Sequence, residues 1–65
     1  MMDITANDIN KHGRLIFVNK LGYQVTLYGY IREVNGKTII WQDNEHSDKF
    51  KIKTHTIKSF KRIML

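Results

Sequence analysis

The apolar positions of the chain change period once, near residue 13. Residues 1–12 (MMDITANDINKH) are polar and turn-forming, with Ile4 and Ile9 as the only sizeable branched anchors. Thr5 is placed to N-cap a short helix reaching Asn10 or Lys11, with Asp8 near its positive end and Gly13 as its stop. A disordered arm is the alternative for this segment. From residue 14 onward the period is two. Residues 14–19 (RLIFVN) form a short run of branched and aromatic side chains, the pattern of a buried strand. Residues 23–33 (YQVTLYGYIRE) alternate most clearly. Val25, Leu27 and Ile31 share one face with Gly29 in register, while Gln24, Thr26, Tyr28, Tyr30 and Arg32 share the other. Gly29 within that run marks a sharp bend, the device that lets a small sheet curl onto itself.

Asn35-Gly36 is the strongest local signal, since both residues accept the positive φ of a two-residue type I′ hairpin turn. It leads into residues 37–42 (KTIIWQ), a β-branched run ending in the single Trp. Residues 43–48 (DNEHSD) form a polar, mostly acidic loop. Residues 49–53 (KFKIK) then alternate strictly, which directs Phe50 and Ile52 to the core and Lys49, Lys51 and Lys53 outward. Residues 54–58 (THTIK) suit a single 3₁₀ turn dropping Ile57 into the core, and residues 59–64 (SFKRIM) close as the last strand. The pattern predicts an all-β fold: a small five-stranded, strongly bent antiparallel barrel of SH3-like type at residues 14–65, preceded by an arm or short helix at residues 1–13.

Composition sharpens this picture in two ways. A chain of 65 residues supports one small core, and such a chain buries only about 60% of its unfolded surface. Small scaffolds gain stability from disulfides, a structural metal or self-association. There is no cysteine, and His12, His46 and His55 have no partners at helical ligand spacing, so self-association is the option left. No apolar run approaches a membrane span and no signal-peptide pattern opens the chain, so the expectation is a soluble cytoplasmic protein without a membrane partner. The excess of basic residues gives a net charge of +5. Such an excess attracts polyanions, nucleic acid above all, or an acidic protein surface.

Two stretches resemble the Sm-like family, and its bacterial Hfq branch in particular. Around the bend, residues 25–31 (VTLYGYI) are similar to the family's first motif, where a glycine sits between alternating apolar residues. Residues 53–59 (KTHTIKS) are similar to the Hfq stretch usually written YKHAIST, with histidine, isoleucine and a hydroxyl residue in step. The likeness covers residues 14–63. It implies a helix, three bent strands, a fourth strand, a 3₁₀ turn and a fifth strand, assembled into a ring by pairing the fourth strand of one subunit with the fifth of the next. It also implies RNA binding, with one pocket position transferring, His55. Asn35 stands where the family commonly has Asp, and Gly36 and Lys37 replace a glutamine and an aromatic residue that touch uridine. Lys53 and Thr54 replace the tyrosine and lysine before the histidine, and the acidic loop is longer.

Each candidate site has a plainer explanation beside it. Lys49, Lys51 and Lys53 form a stripe with spacing of about 7 Å, close to that of successive phosphates on an extended strand. Lys58, Lys61 and Arg62 follow closely. The plainer reading is a solvated strand face whose lysines deter aggregation. Tyr28 and Tyr30, beside Arg32, suit a base-stacking platform, or packing beneath the N-terminal segment or against another subunit. Trp41 reads as core or interface, and His55 as a turn residue in reach of phosphate or a base edge. Asp43, Glu45 and Asp48 do not match an EF-hand loop, so no metal or other cofactor is expected. No nucleophile motif, P-loop or metalloprotease helix is present, and the chain is not expected to be an enzyme.

The expected function is therefore binding of RNA or single-stranded nucleic acid, RNA before DNA, by a homo-oligomer. Lys49, Lys51, Lys53, Lys58 and Arg62 would neutralise phosphates, while Tyr28, Tyr30, Arg32 and His55 supply stacking or hydrogen bonds. The alternative is a protein-interaction module docking an acidic or extended segment, a small adaptor or inhibitor of the kind a phage or mobile element encodes.

Overall fold

Alternating branched and aromatic residues produce five strands in the computed structural model, which describes residues 4–63. They are β1 (His12–Val18), β2 (Gln24–Val34), β3 (Thr38–Gln42), β4 (Phe50–Lys53) and β5 (Ile57–Arg62). All pair antiparallel in one sheet of order β4-β3-β2-β1-β5. β2 is the longest strand because it serves two neighbours in turn. Its residues 24–30 pair with β1 and its residues 30–34 with β3. Gly29 sits at this changeover. A Cβ built there would lie 2.7 Å from both the Cα of Asp43 and the carbonyl oxygen of Gln42. The glycine is required by close approach of another backbone.

The inner face of the sheet carries the core. Leu15, Ile31, Ile39 and Trp41 are fully buried, and Ile52 and Ile57 nearly so. Phe17, Leu27, Val34 and Phe60 pack partly buried against them, with Ile4 and Ile9 added from the N-terminal arm. Trp41 meets Phe60 edge-on with ring centroids 6.4 Å apart, and its indole N–H donates to Asp43 Oδ1 at 2.7 Å. The buried indole thus keeps its polar atom satisfied. Among the described residues, no helix is long and apolar enough to cross a membrane.

The structure departs from the sequence reading at four points. First, the sheet does not close into a barrel. Among the described residues, β5 pairs only with β1 and four-residue β4 only with β3, so both are open edges. Second, the arm forms only a 3₁₀ turn, Ala6–Asp8 (η1), capped by Thr5 as expected. Asn10, at φ 64°, ends it instead of Gly13. Its N–H donates to the Ile31 carbonyl at 2.8 Å, and Ile9 bridges Ile31, so the arm docks beside β2. Gly13 consequently lies inside β1 and faces Gly29.

Third, the β2–β3 connection is not type I′, because Gly36 has positive φ (69°) and Asn35 does not. The Lys37 N–H donates to the Asn35 carbonyl at 2.8 Å, closing a tight γ-turn. That turn is tied down by the second 3₁₀ segment, Thr54–Thr56 (η2): Thr54 donates its N–H to Lys37 O at 2.9 Å and its hydroxyl to Gly36 O at 3.1 Å. Fourth, Phe50 reaches only the rim of the core and stays 40% exposed. It opens the edge strand, and β3 covers it on one side alone. Lys49 lies just before that strand.

Candidate nucleic-acid interface

The outer face of the sheet is set by the register of three strands. β1 places Arg14 opposite Tyr28 on β2 and opposite Lys61 on β5. Tyr28, Arg14 and Lys61 therefore form one row across the sheet, with neighbours about 5 Å apart at the backbone. Tyr28 is 57% exposed, Lys61 is exposed and Arg14 is half-buried between them. Among the described residues the buried Nε of Arg14 has no hydrogen-bond partner. The row presents an aromatic face beside two cations. That combination can stack on a base and neutralise the adjoining phosphates.

Tyr30 lies two pairs further along, on the same face, and is already engaged. The Arg32 guanidinium carbon sits 4.5 Å from its ring centroid, and the His12 ring is 5.2 Å away at a tilt of 59°. Arg32 itself is held by Gln42 Oε1 at 2.9 Å and Asn10 Oδ1 at 2.8 Å. Gln42 is buried and passes its amide N–H to Ser47 O at 2.8 Å. The origin of this arrangement is a bulge: the register steps from Ile31↔Trp41 to Glu33↔Ile40, leaving Arg32 as the extra residue. Bulges re-aim the side chain they carry. Tyr30 and Arg32 thus form a stacked wall beside Tyr28.

The remaining expected residues fall in three other places. Lys51 and Lys53 are exposed on β4, on the same outer face, but Ile40 and Glu33 lie between Lys51 and β1. Lys49 accompanies them outside the strand. His55 and Lys58 border an open cleft of about 520 Å³, lined also by Ile4, Val34, Gly36 and Thr54. Lys58 is the extra residue of a second bulge, where the register steps from Ile16↔Ser59 to Phe17↔Ile57. Arg62 faces the inner side, where its Nε is 2.9 Å from Asp8 Oδ1 and its Nη2 donates to Asn7 O at 3.1 Å. Its charge is matched by Asp8, which sets Arg62 apart from the row on the outer face.

Sequence reasoning missed His12 and Arg14 as members of the site and left Lys61 without a neighbour. Alternation tells which face a residue takes, but not which strand lies beside it. Among the described residues, no group of three or more metal-ligating side chains forms a metal site. Comparison with protein-family models, curated proteins and solved structures finds no match. The functional reading rests on geometry.

Proposed function

We propose that the protein binds single-stranded nucleic acid, RNA before DNA, along the outer face of its sheet. The observation that carries this reading is the Tyr28–Arg14–Lys61 row, flanked by the Tyr30–Arg32 stack. An exposed aromatic on a rigid strand accepts unstacked bases, which RNA loops and ends supply more readily than duplex DNA. The net charge of +5 draws the polyanion in. The element order, with a 3₁₀ turn between the last two strands, supports an SH3-like or Sm-like relationship. The homo-oligomer forms through the open β5 edge, a contact favoured when nucleic acid on the row neutralises Lys61 there.

The test is fluorescence anisotropy with labelled oligouridylate, oligoadenylate and duplex DNA. Tyr28→Ala is expected to weaken single-strand binding between about 5-fold and 150-fold, the range that base stacking contributes. Failure of all three probes at low salt, or equal affinity of Tyr28→Ala and the unaltered chain, overturns the reading.

A further inference from the structure

The β4 edge meets both requirements for adding a strand from another molecule: free backbone groups and a side-chain code. Thr54 donates its N–H to Lys37 O at 2.9 Å, one pair beyond the last β3–β4 pair, Thr38↔Lys53. Hydrogen-bonded and non-hydrogen-bonded pairs alternate along an antiparallel ladder. Phe50 and Ile52 therefore direct their N–H and C=O groups toward β3, while Lys51 directs both of its groups and Lys53 its N–H off the sheet; the Lys53 carbonyl accepts the Thr56 hydroxyl at 2.7 Å. The side chains of the same two lysines are exposed on the outer face, about 7 Å apart. On the inner face, Phe50 stands half-open at the rim beside buried Ile52.

We infer that β4 accepts an extended acidic segment of a partner protein as a further strand of the sheet. Residues of that segment paired with Lys51 and Lys53 carry carboxylates, since opposite charges across a ladder attract. The residue between them is apolar and lies against Phe50 and Ile52. The recognised pattern is acidic–apolar–acidic, read in extended form.

Charge selects this occupant over the others. A second copy offers either β4, with Lys51 and Lys53, or β5, whose outer face carries Lys61 and whose bulge carries Lys58. Without a polyanion, such pairing sets lysine against lysine, which destabilises a ladder. Nucleic acid neutralises the lysines but has no peptide groups to complete the hydrogen bonding. Only an acidic polypeptide satisfies side chains and backbone together.

Amide exchange of the full chain, followed by NMR at low salt without nucleic acid, tests this. The probes are two blocked decapeptides, one alternating Glu and Val, the other Lys and Val. Saturation with the Glu–Val peptide is expected to slow exchange at Lys51 and Lys53 by about tenfold or more while leaving Ile52 unchanged. The Lys–Val peptide has no effect. In the double variant Lys51→Glu/Lys53→Glu the preference reverses, and retained protection of Leu15 and Ile31 reports that the sheet still forms; the peptide pair is decisive on the unaltered chain alone. The inference is overturned by equal binding of both peptides, or by perturbation at Tyr28 and Arg14 without protection of the edge amides. Edge amides already protected by a second copy, or protected equally well by oligouridylate, overturn it too.

Discussion

A hydrogen is the largest group that position 29 accepts. A Cβ there meets backbone atoms of Gln42 and Asp43 at 2.7 Å, and backbone cannot rotate aside as a side chain does. Gly36 is the opposite case, since its Cβ would meet nothing within 4 Å but its φ of 69° disfavours L-residues. Gly29→Ala is expected to cost about 1–3 kcal/mol through overpacking, and Gly36→Ala about 1–2 kcal/mol through its backbone. Asparagine separates the two mechanisms because it tolerates left-handed backbone. Urea denaturation should show Gly36→Asn recovering most of the loss and Gly29→Asn recovering none. The importance of Gly29 was legible in the alternation around it, but its cause was not, because residues 42–43 approach it only through the fold. Lys61 and Arg62 make the same point. Adjacent in sequence, they face opposite sides of β5, one beside Arg14 and the other on Asp8.

At the level of elements, period-two runs were readable as five strands because branched and aromatic residues populate them densely. What resisted reading were the places where the period slips. The bulges at Arg32 and Lys58 each insert a basic residue out of phase, and nothing in the local pattern announces them. The arm was half-legible: Thr5 caps the turn as its residue type suggests, but the anchor is Arg62, at the far end of the chain. That anchor is partly solvated, with side-chain exposures of 49% for Arg62 and 12% for Asp8. Screening therefore holds the pair to about 0.5–1 kcal/mol. Asp8→Asn is expected to raise exchange at the Asn10 amide, which bonds to Ile31 O across the arm. Amides of the β1–β2 ladder should stay protected, so the arm loosens as a unit while the sheet holds. Simultaneous loss of both would mean that the arm is integral to the core.

Taken as a whole molecule, the chain distributes its cations unevenly, and that asymmetry separates a general field from specific contact. A net charge of +5 attracts any polyanion, and removing a lysine anywhere weakens that attraction slightly and similarly. Contact behaves differently, because each phosphate neutralised by a bound cation releases counterions and steepens the salt dependence. For single strands the slope of log K against log salt is about −0.7 per phosphate. Lys61 stands in the row with Arg14 and Tyr28, Lys53 stands on the β4 edge beyond β3, and Arg62 is matched by Asp8. These three share one formal charge but occupy three environments. Oligouridylate titrations across a salt series should therefore find the slope of Lys61→Gln shallower by about 0.7, and the slopes of Lys53→Gln and Arg62→Gln unchanged. Three equal small changes would assign binding to the field alone. A loss at Lys53 without one at Lys61 would move the nucleic acid to the sheet edge and leave the Tyr28 row without a ligand.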